Sequence, residues 1–392
     1  MSSIERSTLQ KIKENIFSHL RDYYSFTASE LVKENPPTWY CQNKKVVYNM
    51  ACPNGADSFH GTLKYTQWTQ FDLPKSFNIE EKNAIGGGRK EKLEIEILND
   101  VFDYSPPDDD NTVVWYINFA DLNLFAYYGG SLFAQDEMQC LEHPALCSLH
   151  DKLETIPDGS PTRTRTTISS GKSIATPVLI RGVERQAFIK TDCNETEGRP
   201  YGLYGNQFAI ANVDAVKLAT TVFDKRLDNK GNPYYSNIIA IEAPKYGKGY
   251  YTNSTIRMVI ETAYSGFLAA RFESLVETNV LERKYKDSEH TIIPENDEII
   301  APKVIIHTGN WGCGAYGGNI SIMACLQFAA AHLAGIDKVV YHAIDDKSQS
   351  EVNIGLEIYK ELIMDVNGMI KIDDFITKVE RKKFKWGFSN GT

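Results

Sequence analysis

The chain has 392 residues, 42% of them apolar, and a net charge of −9. That is enough apolar material for a large core, and the negative balance argues against a broad basic surface for nucleic acid or another long polyanion, so the expected ligand is small. The seven cysteines form no CxxC pair and no zinc spacing, the first residues lack a signal-type apolar run, and Gln327 and His332 interrupt the longest apolar stretch, near Ile320 to Ile336. Reduced thiols and a soluble, cytoplasmic protein with neither nucleic acid nor membrane as partner are the reading.

In chain order, residues 7–34 place Ile12, Ile16, Leu20 and Tyr23 at helical spacing, and Pro36-Pro37 ends that run. GGGRK at 86–90 follows no apolar strand and reads as a flexible loop. LEIEIL at 93–98 and TVVWYINFA at 112–120 predict strands on either side of the solvated turn PPDDDN. The Ser/Thr-rich segment 157–177, with Arg163, Arg165 and Lys172, is long for a connector and reads as a mobile insertion or a lid. Its GKS at 171–173 is not a phosphate-binding P-loop, because Thr166 stands where the first glycine is required. Strands are expected at 207–216 and 235–244, a long helix at 256–277, and two strands, KVIIHT and KVVYHAID, around a further helix. The alternation predicts an α/β fold with a mixed, mostly parallel sheet flanked by helices. Residues 1–90 read as a helical or irregular accessory region, 91–392 as the main domain, and the basic tail VERKKFKWGF as a solvated helix end.

The segment TGNWGCGAYGGN, 308–319, carries five glycines immediately after the apolar run Val304, Ile305, Ile306. A bare backbone between a buried strand and a helix start lets free N–H groups and the positive dipole end approach an anion, and a diphosphate is the natural guest. Gly312, Gly314 and Gly317 also satisfy GxGxxG. The dinucleotide fold fails on context, since Asp337 precedes the next strand, Asp345 lies too far on, and too little chain remains.

TGNWGCGAYGGN followed by CLQFAAAHLAGIDKVVYHAID resembles the diphosphate loop, helix and strand of the poly(ADP-ribose) glycohydrolase family, whose macrodomain fold binds ADP-ribose. INFADLNLFAYYGGSLFAQDEMQCLEHPAL at 117–146 resembles its signature region, and AIANVDAVKL and ETAYSGFLAA resemble its intervening segments. The resemblance runs from about residue 112 to 385 and implies a macrodomain-type sheet and an (ADP-ribosyl)hydrolase. It places Glu137 at the catalytic glutamate, with Asp136 and Asp121 beside it. As ADP-ribose-binding positions it implies Asn118, Gly129, Gly130, Gln135, Tyr264, Thr308, Gly309, Asn310, Gly312, Cys313, Gly314, Ala315, Tyr316 and Gly317. No cofactor is implied. No metal is expected either, because the histidines form no HxxxH-type pair.

Three departures from the family pattern shape the expected substrate. The glycine run is Gly129-Gly130-Ser131 with a short spacer to Gln135, the middle acid is Asp136, and Asn118-Phe119-Ala120-Asp121 exchanges the family's acid and amide. Ile344 stands where the family stacks an aromatic ring on adenine, leaving Tyr341, Tyr316 or Phe208 as substitutes. By helical facing, Glu137 points inward with Cys140 and Leu141, while Asp136 lies nearer the rim. Asp121 and Asp136 would then stay ionised and grip a guanidinium. That pattern looks like the MavL-like branch, so the first expectation is release of ADP-ribose from arginine on ADP-ribosylated proteins. Poly(ADP-ribose) glycohydrolase activity is the second expectation, and a non-catalytic ADP-ribose-binding module the third.

Overall fold

A computed structural model describes residues 3–4, 18–77, 93–157, 160–167, 173–277, 299–364 and 370–391. The loop expected at 86–90 and the first part of the expected N-terminal helix lie outside the described residues. The main sheet has eight strands: β1 (Leu20–Thr27), β2 (Thr62–Trp68), β3 (Glu94–Leu98), β4 (Thr112–Ala120), β5 (Val178–Val183), β6 (Ser236–Glu242), β7 (Lys303–Gly309) and β8 (Lys338–His342). Their order is β1-β2-β5-β6-β4-β7-β8-β3. From β6 through β3 neighbouring strands are parallel, and β1, β2 and β5 extend the sheet antiparallel. The fold is thus the expected mixed α/β type, with a mostly parallel sheet between helical layers. Two of its strands come from the first 90 residues, so the boundary expected at residue 90 does not divide the sheet.

β4 shows why the centre is stable. Its β-branched and aromatic residues are covered on both faces, as a central parallel strand requires. Val113, Trp115 and Ile117 join one core with the helices α6 (Asn253–Glu277) and α7 (Ile320–Leu333). Val114, Tyr116 and Ala120 join the other, beneath α1 (Ala28–Glu34), α2 (Gln42–Ala51), α3 (Gln135–Glu142), α4 (Ala145–Glu154) and α5 (Val213–Ala219). Further along the chain, α8 (Asp346–Tyr359) packs against α7, and α9 (Ile372–Arg381) buries Ile372, Phe375, Ile376 and Val379 at helical spacing.

Three local expectations are corrected. Residues 20–27 form β1 rather than helix, because the segment pairs along its length with β2; Ser18 and His19 before it are helical, and a separate helix begins at Ala28. Residues 207–216 are not a strand. A four-residue helical turn, Gln207–Ile210, precedes α5, whose start is capped by the Asn212 side chain accepting from the Asp214 N–H at 2.8 Å. In the third case, part of the 157–177 segment is pinned, not lid-like. The Leu124 N–H bonds to the Thr162 carbonyl at 2.8 Å, the Thr164 N–H bonds to the Leu122 carbonyl at 3.1 Å, and 165–167 pairs with 173–175.

Candidate active site

Because β6, β4, β7 and β8 are parallel, their carboxyl ends share one edge, and the loops after them meet there, as in other open α/β sheets. The glycine loop follows β7. Trp311 anchors it: the indole is fully buried and its N–H donates to the Ile241 carbonyl at 3.0 Å. Gly312 takes φ +74°, and a Cβ there would lie 2.5 Å from that of Ala243. Gly317 takes φ +70°. The Gly318 N–H closes the loop onto the Gly312 carbonyl at 2.9 Å, and Asn319 caps α7 by accepting from the Ile322 N–H at 3.2 Å. Among the described residues, the N–H groups of Gly314, Ala315 and Tyr316 have no protein acceptor. Three such donors in sequence before a helix start are an arrangement suited to an anion.

Other expected binding residues have structural partners. Thr308 is buried and donates to Gln327, whose side chain also reaches the Gly309 carbonyl at 3.3 Å. Asn310 bonds Ser348 and Tyr341, fixing the loop to the start of α8. Cys313 Sγ lies 3.5 Å from the Trp311 carbonyl oxygen, and burial raises its pKa. Gly129 admits a close backbone, since a Cβ would stand 2.3 Å from the Thr38 carbonyl oxygen; its own carbonyl accepts from Tyr40 and Cys41. The neighbouring Gly130 closes a turn through its N–H to the Tyr127 carbonyl at 3.0 Å. Tyr264 is buried in the α6 core, near the charge of Asp72. Of the residues considered for adenine, Tyr341 and Phe208 are buried, whereas Ile344 is 57% exposed with φ +63°.

The loop after β4 ends in α3, and Gln135 fixes that junction. Its Oε1 accepts from the Phe119 N–H at 2.8 Å, and its Nε2 donates to the Ile117 carbonyl at 3.1 Å. Asp136 and Glu137 then diverge. Asp136 accepts from Asn118 Nδ2 at 2.8 Å and is 8% exposed, so it is buried rather than on the rim. Burial first, then the charge of Glu137, pushes its carboxyl up to about 8. Glu137 is buried as expected, but its Oε2 turns back to accept from the Ala134 N–H at 3.0 Å. Burial raises its pKa too, opposed by Lys44.

Lys44 is fully buried on α2 and donates to the Tyr128 carbonyl at 2.8 Å. Burial lowers its pKa and the charge of Glu137 works the other way. No pattern in the sequence singled it out, because a lone lysine in an unassigned helix looks like surface.

Asp121 is committed as well. Its Oδ2 lies 2.6 Å from Lys245 Nζ and accepts from the Tyr316 hydroxyl at 2.9 Å, while Oδ1 accepts from the Asn123 N–H at 3.3 Å. Burial works against the ionised form, but these donors outweigh it and hold the carboxyl below the usual range. Of the two acids expected to grip a guanidinium, Asp136 is thus buried against Asn118 and favours its proton, and Asp121 is engaged by Lys245 and Tyr316. Lys245, whose Nζ is also 2.9 Å from the buried Glu242, is the second residue that sequence reasoning missed.

The tail is corrected too. Trp386 stacks on Tyr251 with ring centroids 4.4 Å apart, and the Gly387 N–H bonds to the Gly317 carbonyl at 2.9 Å, so the segment after α9 braces the glycine loop. Among the described residues no three His, Cys, Asp or Glu side chains are grouped to hold a metal ion, and no helix is long and apolar enough to cross a membrane.

The chain was compared with known proteins. No curated protein matches the chain. Among solved structures it is similar to poly(ADP-ribose) glycohydrolase from Thermomonospora curvata bound to the inhibitor ADP-HPD, at 13% identity and a TM-score of 0.39, covering 89% of this chain and 99% of that one. It is also similar to the glycohydrolase from Deinococcus radiodurans in complex with ADP-ribose, at 13% identity and a TM-score of 0.35, covering 88% and 97%. Residues 200–351 match the family model of the poly(ADP-ribose) glycohydrolase (PARG), macro domain fold. That span holds β6, β7, β8, Lys245 and the whole glycine loop, and the sheet joins to it the carboxylates of α3, so the similarity to the family model falls on the part of this α/β fold that carries the glycine loop.

Proposed function

We propose that this chain is a glycosidic-bond hydrolase that releases ADP-ribose, with poly(ADP-ribose) as the favoured substrate. The observation that carries the reading is the pairing of two loops. The free amides of Gly314 to Tyr316 lie after β7, the buried Asp136 and Glu137 lie after the adjacent β4, and the Tyr316 hydroxyl bridges the two at Asp121. The cradle binds the diphosphate, so the carboxyl pair meets the distal ribose at high effective concentration. Asp136 carries the proton at neutral pH and gives it to the leaving oxygen as the C1–O bond breaks. Glu137, close to the charge of Lys44, is the group assigned to stabilise the oxocarbenium-like centre. Water adds its oxygen to C1 and returns a proton to the pair.

Release from arginine is the less supported substrate, because Asp121 and Asp136 are both engaged by groups of the chain itself. The test is a panel of arginine-, serine- and glutamate-linked mono-ADP-ribosyl peptides and polymer. Polymer should react fastest, and rapid reaction of the arginine-linked peptide with polymer untouched would reverse the ranking. Single-mutant kinetics assign the proton. Asp136→Asn and Glu137→Gln should each cost on the order of 10²-fold in kcat with little change in ADP-ribose affinity. A near-normal Asp136→Asn beside a dead Glu137→Gln would return the acid role to Glu137.

A further inference from the structure

We propose that Lys245 selects the charge of the leaving group: by occupying Asp121 it denies a cationic acceptor its partner and leaves the site open to hydroxyl-linked acceptors flanked by phosphate. This rests on the glycohydrolase reading. Lys245 lies three residues beyond β6, and its Nζ is held between Asp121 at 2.6 Å and Glu242 at 2.9 Å. It also stands 4.9 Å from the centroid of the Tyr316 ring, whose hydroxyl donates to the same Asp121 oxygen. One ammonium thus ties the loop after β4, the end of β6 and the glycine loop into one cluster beside the carboxyl pair.

The consequence for an incoming guanidinium follows from donor counting. Its fork needs two carboxylate oxygens with free lone pairs in one plane. Asp121 Oδ2 already accepts from Lys245 and Tyr316, and Oδ1 accepts from the Asn123 N–H. Entry would require displacing Lys245, which would separate Glu242, 1% exposed, from the cation beside it. Lys245 offsets one of the two carboxylate charges beside it, so with it in place the attraction of Asp121 for a cation and its repulsion of an anion are both weakened. With Lys245 neutralised, both effects would be stronger.

The experiment measures kcat/KM on poly(ADP-ribose) and on an arginine-linked mono-ADP-ribosyl peptide, for the full chain, Lys245→Gln and Lys245→Arg. Gln should raise the arginine-to-polymer ratio by about tenfold or more, and Arg, which keeps the charge, should hold it within about threefold of the original. An equal fall on both substrates, or an unchanged ratio in Lys245→Gln, would overturn the proposal and assign Lys245 to scaffolding. Binding is measured in parallel by calorimetry in the Asp136→Asn background, with ADP-ribose and with ADP-ribosyl-arginine. If the unmodified chain released ADP-ribose from nothing, the glycohydrolase reading would fall. A selective gain in affinity for the arginine conjugate on Lys245→Gln would still uphold the role of Lys245, and no gain would end it.

Discussion

Replacing Asp136 with asparagine should stabilise the fold by an amount that grows with pH. The carboxyl is 8% exposed and pushed up to about 8, first by burial and then by Glu137. In the unfolded chain it titrates at about 3.9. The folded state therefore holds a proton that the unfolded state releases. The stability this contributes is complete below pH ~4 and is lost as pH rises through ~8. Across that window the loss is about 1.4 kcal/mol per pH unit, on the order of 4 kcal/mol by pH 7. Asparagine is nearly isosteric and does not titrate. Allowing about 1 kcal/mol for the altered hydrogen bond to Asn118, the variant should exceed the original by roughly 2–4 kcal/mol at pH 7, and by less than about 1 kcal/mol at pH 4.5. Urea unfolding at pH 4.5, 6.0 and 7.5 reads the difference directly. A gap that stays constant with pH would refute a raised carboxyl, and a variant less stable at pH 7.5 would show that Asp136 is ionised and paired. The same substitution removes the proposed proton donor, so stability and turnover should move in opposite directions.

Gly314→Val leaves the loop's positive-φ positions untouched but sets a branched side chain among the free amides; ADP-ribose binding by calorimetry should disappear while the thermal midpoint holds, and undiminished affinity would make the loop structural. Gly312→Ala should instead lower stability by about 2–4 kcal/mol, because it combines φ +74° with a Cβ 2.5 Å from Ala243; a loss under about 0.5 kcal/mol in urea unfolding would show that the loop yields. A Cβ on Gly247 would fall 1.8 Å from the Trp386 ring, so Gly247→Ala and Trp386→Ala should weaken ADP-ribose binding alike, by about tenfold, and their double mutant by no more than either alone; additive losses would mean that the tail does not brace the loop.

How much of this was legible depended on range. β4 announced itself because a buried central strand needs an unbroken apolar run, and the glycine loop because so few other jobs require so bare a backbone. The 207–216 error arose where Ala, Ile and Val read as β-forming although Asn212 supplied a helix cap. The rim position assigned to Asp136 came from helical facing alone, which could not see that Gln135 ties the helix start to the end of β4. Lys44 and Lys245 were missed for a similar reason. Lys44 meets the Tyr128 carbonyl and Lys245 meets Asp121 across distant segments, and only Glu242, three residues before Lys245, is a partner recorded nearby in the sequence.

The strand order also bears on how the chain is made. β4 is complete at residue 120, yet its two neighbours, β6 and β7, begin at 236 and 303. β3, synthesised before β4, ends on the far edge and, among the described residues, pairs only with β8 at 338–342. At about 5–20 residues per second, the ribosome needs roughly 6 to 25 s after finishing β4 to reach the first strand able to cover either of its edges. Throughout that interval TVVWYINFA, with high β-propensity and no charge, is a segment of the kind that pairs with copies of itself. Its closing contacts span long loops, so assembly should be slow and late. Yield during expression should therefore respond to chaperones and temperature more strongly than the stability of the finished fold would suggest.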